Sequence, residues 1–282
     1  MKKLVAILIC LLSVESSGAI PVGFFKRRSY EVVVPPATNW VPTNMTAPVA
    51  FWTSMSNSTV GFTNSQTIGT NIDNSVNAFS GLQLTSSKQP LVVTNSNQAL
   101  NSEKFDGVDD YISLPTPVSL TNVYTCWVVG RYHKAAGAAA WTGPMYYQTN
   151  LSAGFAMLND NGTGDYIPHL TVYSTLGVEL GNFAGTVAIG TGVWHHVVWT
   201  VTNALVTPAA VLYTNGVSAT LSGGPQSGFT TTVGAALGIS WGTVGKTWEI
   251  RDAGVAIGVL APGQTDFINL TNYLTTLIST NL

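Results

Sequence analysis

From residue 47 onward, apolar runs of about four to eight residues alternate with clusters of Gly, Asn, Ser and Pro, a rhythm that belongs to a sandwich or barrel of strands. The clearest strands are expected over 111–114, 125–131, 154–158, 169–173, 194–201, 209–213 and 254–259. Within "WHHVVWTVTNALVTPAAVLYTNGVSATL" a period of two places Val197, Trp199 and Val201 on one face. A loop through Pro208 then leads to a strand at Val211 and Tyr213, Asn215-Gly216 closes a tight hairpin, and a third strand follows over 217–221. One stretch has a helical period instead. In "TDFINLTNYLTTLI" the residues Phe267, Leu270, Leu274, Leu277 and Ile278 recur at three- and four-residue steps, which predicts an amphipathic helix against the edge or rim of the sandwich.

Composition sharpens this picture. The chain is 45% hydrophobic and only 9% charged, so it has ample apolar surface to bury and disorder is excluded. Its polar half is built from Thr, Ser, Asn and Gly, residues that favour strands and turns over solvent-facing helices. No fixed-period repeat and no second domain are visible. The expectation is one all-β jelly-roll sandwich of two antiparallel sheets over 47–282, with a short C-terminal helix.

The first residues read differently. Lys2 and Lys3 precede an apolar run from Leu4 to Leu12, and small residues follow at Ser17, Gly18 and Ala19, the order of a secretory signal cleaved after Ala19. The run is too short to span a bilayer. Residues 20–46 carry Pro35, Pro36 and Pro42 without a sustained period and read as a linker or N-terminal arm. Its cluster Lys26, Arg27 and Arg28 falls short of a lipid-recognition patch. Cleavage would remove Cys10 and leave Cys126 without a partner, a buried apolar filler in "TCWVV". From Pro48 to the end there are six Lys or Arg against eleven Asp or Glu, with no basic run, which excludes nucleic acid as a partner.

Three motifs stand in order along the domain: "KFDGVDDYISL", "WHHVVWTVTN…AVLYTNGV" and "WEIRDAGVAIGVLAPGQTDFINLTNYL". Together they resemble the concanavalin A-like lectin/glucanase superfamily, specifically the laminin G-like (pentraxin-like) jelly rolls of secreted bacterial and phage proteins. Phe105, Asp106, Gly107 and Tyr111 match the family's Phe-Asp-Gly turn and following strand, and Trp194, His195, His196, Val197, Asn215 and Gly216 match its Trp-His-His-Val strand and hairpin. Leu260, Tyr273 and Leu274 match its closing turn and helix. The resemblance implies structural roles for all of these. Where relatives place Ser and an acidic residue before the last helix, this chain has "APGQTD", so the helix is expected to start late, capped by Thr265.

"EKFDGVDDYISL" packs Asp106, Asp109 and Asp110 into five positions. Asp106-Gly107 reads as a turn, its carboxylate bonding backbone N–H groups; the second reading is calcium, a hard cation that related jelly rolls hold through Asp, Asn and carbonyl oxygens. The same two readings, hairpin turn or calcium loop, apply to Asp160, Asn161 and Asp165 in "MLNDNGTGDYIPH". No cofactor is required by the sequence. Aromatics near turn residues, Trp141, Tyr146, Tyr147, Tyr166 and Trp241, are the candidates for a platform that stacks on a sugar.

Catalysis finds little support. A glycosidase on this fold needs two facing carboxylates; the Glu-x-Asp-x-x-Glu run of the glucanase branch does not occur, and Glu249 has only Asp252 near it in sequence. His195 and His196 are adjacent, so on a strand they point to opposite faces and cannot share a metal. No catalytic residue is assigned. The sequence is therefore read as a secreted, non-enzymatic carbohydrate-binding or adhesion module whose partner is a glycan or cell-surface polysaccharide. Two alternatives stand beside it: a phage, virion or cell-surface structural protein whose N-terminal arm docks on other proteins, and a glycan hydrolase or lyase.

Overall fold

In the strand Tyr124–His133, Tyr124, Cys126, Val128 and Tyr132 belong to one apolar cluster while Trp127 and Val129 belong to another. Strand His195–Thr202 does the same, with Val197, Trp199 and Val201 on one side and Val198 on the other. A sheet that is apolar on both faces needs two covers. A second sheet supplies one and the C-terminal helix the other.

The structure, a computed structural model, describes residues 40–55, 63–78, 80–94, 100–113, 120–133, 143–148, 154–159, 166–173, 178–230, 238–241 and 247–279. The expected signal and residues 20–39 of the arm lie outside these. Among the described residues the first sheet runs in the order β14 (Val217–Ala219), β13 (Ala209–Thr214), β12 (His195–Thr202), β7 (Tyr124–His133), β17 (Thr247–Ile257), β5 (Ser102–Phe105), β4 (Leu91–Val93). β1 (Val49–Ser54) also pairs with β17. The second runs β15 (Leu221–Thr230), β11 (Val178–Gly185), β10 (Pro168–Tyr173), β9 (Gly154–Asn159), β8 (Met145–Gln148), β16 (Gly238–Trp241), β6 (Ile112–Ser113), β3 (Ser80–Leu82), β2 (Thr70–Ile72). All named pairings are antiparallel, which makes the fold an all-β sandwich.

Between the sheets, Phe105, Trp199 and Trp248 of the first meet Ile112, Met145, Phe155 and Leu170 of the second. Cys126 is fully buried there, and desolvation pushes its thiol far above the usual range, so it is an inert filler. The Asn215-Gly216 hairpin between β13 and β14 has φ of 50° and 78°, the two positive values its turn demands.

β17 spans 247–257 rather than the expected 254–259, because a bulge breaks its period of two. The register shifts between Ile250 and Asp252, so Trp248 and Ile250 before the bulge and Ala253 and Val255 after it all face the intersheet core. Were Arg251 not accommodated as a bulge, strict alternation past Ile250 would turn Asp252 into that core. The bulge also divides one edge of β17: β5 pairs with Trp248–Ile250, and β1 pairs with the stretch from Asp252 to Ala256.

The helix α1 (Thr265–Ser279) lies against β12 and β7. The expected placement at the rim is corrected here: Phe267, Leu270, Leu274 and Leu277 are buried in a second core with Trp52, Trp127, Val129 and Val198, on the outer face of the first sheet. Each such side chain contributes about 1.5–3 kcal/mol by leaving water. Its cap also differs from expectation. Ile268 N donates to Gln264 O, so Gln264 and not Thr265 occupies the cap position, and the Gln264 side chain accepts from Ala261 N. Asp266, in the first turn, accepts from Thr46 N at 2.8 Å and Ala47 N at 3.2 Å. The packed unit reaches back past Ala47, since Met45 is buried in this second core and Trp40 and Val41 pack against it.

Gly254 is required by this packing. In register it stands between Trp52 and Trp127, and a Cβ there would lie 2.1 Å from Trp127 Cζ2. Gly254→Ala is expected to destabilise the fold by about 1–3 kcal/mol through overpacking, read as a lower urea midpoint at unchanged m value.

Candidate functional site

Helix α1 leaves one end of the outer face of the first sheet to polar side chains. Glu249 on β17 is registered opposite Lys104 of β5 on one side and Arg131 of β7 on the other, so the three stand in a row about 10 Å long, two strand spacings. Arg131 Nη2 donates to Glu249 Oε2 at 2.9 Å and to Oε1 at 3.0 Å. His133 Nε2 lies 2.9 Å from Oε1, and Ser102 Oγ donates to Oε2 at 3.2 Å. The carboxylate is buried, whereas the Arg131 and His133 side chains are 30% and 33% exposed and Lys104 is exposed. The face open to solvent therefore carries donors and positive charge.

Trp194, just before β12, completes the site. Its ring centre is 5.0 Å from the Arg131 guanidinium carbon and 3.7 Å from that of Arg251, within the range of cation–π attraction. Arg251 is buried and donates to Leu277 O, a carbonyl of the last helical turn, where the helix dipole is negative. Burial first, then the Arg131 charge, lower its pKa to about 10, and Glu249 acts the other way.

Asp252 occupies a separate niche under the helix. Its Oδ1 accepts from Trp127 Nε1 at 2.8 Å, and its Oδ2 accepts from Trp52 Nε1 at 2.9 Å and from Tyr273 OH at 2.8 Å. Burial raises its pKa to about 6, with the donated hydrogen bonds opposing. His195 and His196 face opposite sides: His195 stacks 5.1 Å from Tyr166 between the sheets, and His196 Nε2 sits 3.2 Å from Thr275 Oγ1 of the helix. Burial lowers His195 to about 4; burial, then the neighbouring His195, lower His196 to about 3.

The Asp106 turn takes the geometry expected of it. Asp106 Oδ1 accepts from Val108 N at 2.7 Å and Asp109 N at 3.3 Å, Asp110 Oδ2 accepts from Asp106 N at 2.9 Å, and Gly107 has φ 80°. Phe105 before it is a core residue, and Tyr111 after it is 37% exposed. Carboxylate atoms of Asp106, Asp109 and Asp110 lie within 4.8 Å of one another, close enough to share a cation. Burial raises Asp110, the Asp106 N–H opposes this, and the charges of Asp106 and Asp109 add to it.

Of the aromatic candidates, Tyr166 must be withdrawn as a sugar platform. It is fully buried, 4.8 Å from the Trp248 ring centre and 6.4 Å from that of Tyr132, and burial pushes its hydroxyl well up; a ring with no exposed face cannot stack on a ligand. Trp241 is registered opposite Met145 and Ile112, both core residues, and Tyr147 opposite Ile239 and Phe155. Tyr146 is registered opposite Ser240 and Ala156. Trp141, Asp160, Asn161 and Asp165 lie outside the described residues. The row of Lys104, Arg131, His133 and Glu249 was missed as a site because its members are far apart in sequence. Its signal was charge at period-two spacing inside apolar strands, Arg131 and His133 in "VVGRYH" and Glu249 in "WEIRD".

No protein-family model matches the chain, and no curated protein matches it. Several solved structures are similar at low identity. Domain 4 of AbnA, a GH43 extracellular arabinanase from Geobacillus stearothermophilus, in complex with arabinotriose, is 18% identical with a TM-score of 0.47, over 82% of this chain and 98% of that one. The receptor-binding domain structure of botulinum neurotoxin type G is 10% identical with a TM-score of 0.46, over 81% of this chain and 51% of that one, so this chain spans about half its length. A carbohydrate esterase from the Shiga toxin-encoding bacteriophage phi24B is 14% identical with a TM-score of 0.41, over 75% of this chain and 99% of that one. No helix among the described residues is long and apolar enough to cross a membrane.

Two outcomes are expected. The unfolded chain protonates both histidines below their ordinary value of 6.5 while the folded state refuses the proton until about 4 and 3, so their contribution to stability is intact above pH 6.5 and falls as pH drops. Asp252 acts in the opposite sense between about 6 and its ordinary 3.8, its raised pKa adding stability as pH falls. With two histidines set against Asp252 and the likewise raised Asp110, urea midpoints should fall from pH 6.5 to 4, and His195→Gln should flatten the fall; a profile that His195→Gln leaves unchanged would contradict the burial of that ring. Asp252→Asn turns an acceptor into an amide that must face a donor, and should cost about 1–3 kcal/mol, against about 1 kcal/mol for Tyr273→Phe.

Proposed function

We propose that this chain is a non-enzymatic carbohydrate-binding module of the concanavalin A-like type, secreted or displayed on a surface, and that the row of Lys104, Glu249, Arg131 and His133 is its binding face. The observation that carries this reading is a set of solvent-facing donors held in fixed positions by neighbouring strands and a shared buried carboxylate. Sites built on strands hold their groups more rigidly than sites on loops, and hydroxyl-rich ligands need such fixed donors. Binding is favoured over hydrolysis by the state of the acids. Glu249 is already engaged by Arg131, His133 and Ser102, and Asp252 is sealed beneath the helix by donors from Trp52, Trp127, Tyr273 and Ser54. A glycosidase needs two carboxylates free to face one bond.

A second reading, a scaffold in a virion or cell-surface assembly, is supported by the packing of Trp40, Val41 and Met45 onto the helix side of the first sheet. The residues before this strap would then join the sandwich to a larger body. A glycan array run with and without calcium separates the two. Selective binding that Glu249→Gln removes is the outcome expected of the module; silence in both conditions would favour the scaffold.

A further inference from the structure

We infer that the glycan bound at this face is anionic, a uronate-containing saccharide whose carboxylate is taken by Lys104 and Arg131; this rests on the binding role proposed above. From Pro48 to the end the chain has six Lys or Arg against eleven Asp or Glu, a net charge of −5 with His neutral. Yet three of those six, Lys104, Arg131 and Arg251, stand on or beside one row. Half of the positive charge of an acidic domain thus stands at one place, where an acidic ligand meets attraction.

The internal charge balance points the same way. On this outer face Arg131, Arg251 and Lys104 are set against two carboxylates, Glu249 within the row and Asp252 enclosed beneath the helix, and Glu249 is the one that meets the row. Arg251 bonds a helix carbonyl, and Lys104 makes no ion pair among the described residues. Arg131 uses Nη2 for Glu249 and remains 30% exposed, so its planar fork has a solvent side suited to a carboxylate. Lys104 stands one strand beyond Glu249 from Arg131, so an incoming carboxylate would meet positive charge on either side of the buried acid.

The test is calorimetric titration of the full chain at low salt with oligogalacturonate, its methyl ester, which removes the charge and keeps the sugar, neutral xylo-oligosaccharide, and dextran sulfate. The acid form should bind at least tenfold more tightly than the ester, and its affinity should fall with added salt. Arg131→Gln should lower affinity about tenfold or more. Because that change also leaves Glu249 short of a partner, Lys104→Gln, at an exposed residue outside any ion pair, is the second variant, with an expected loss of about two- to fivefold. Ester and acid binding equally, or xylo-oligosaccharide binding best, would overturn the anionic assignment and leave the carbohydrate-binding role standing. Dextran sulfate binding without oligogalacturonate would overturn the carboxylate. Silence toward every saccharide would remove the proposed function itself.

Discussion

Asp252 accepts hydrogen bonds from the indoles of Trp52 and Trp127 and from the hydroxyl of Tyr273, so one carboxylate joins β1, β7 and the C-terminal helix to β17. A charge taken out of water is tolerated only where its oxygens are satisfied, and here these donors converge on it together with the Ser54 hydroxyl. The Trp127 indole reaches Asp252 because Gly254, two residues further along the strand, leaves room for its ring. The helix in turn closes the niche with Tyr273. Each part needs the others, which makes this network the joint between the sandwich and its outer layer.

The bulge at Arg251 makes the joint available and at the same time shapes the polar row. It sets Arg251 and Asp252 side by side on the outer face, one directed to the last turn of the helix and the other to the indoles. Glu249, before the bulge, stays on the same face and gathers Arg131, His133 and Ser102. Trp194 stacks against both arginines. Five residues, "WEIRD", thus supply a core tryptophan and isoleucine on one side and, on the other, the acid of the polar row, a buried cation and the structural acid.

The β-rich character, the Asn-Gly hairpin, the Asp106 turn and the helical stripe were all legible, because each is a local pattern: alternation, a turn dipeptide, a three- and four-residue recurrence. What could not be read locally was β17. Its three charged residues and its extra residue hide the period of two, so only its apolar second half resembled a strand. The placement of the helix escaped for a related reason. Its stripe announced a buried face, but only the second apolar face of β7 and β12, carried by Trp127, Val129 and Val198, says which surface it covers. Tyr166 looked like a loop aromatic because Gly and Asp precede it; tertiary packing against Trp248 decided otherwise.

The divided edge of β17 bears on the order in which the molecule assembles. β1 lies near the start of the packed unit, yet its partner on the sheet is a strand that ends at Ile257, and the two residues registered as Trp52 and Gly254 are separated by almost the whole domain. Central β7 likewise lacks one of its neighbours until β17 arrives. Pairings of such long sequence separation must overcome loop closure before they return any stabilisation. During synthesis, then, the first sheet stays open at its centre until the C-terminal segment has emerged, and an unfinished chain would lack the strand on which both β1 and β7 depend.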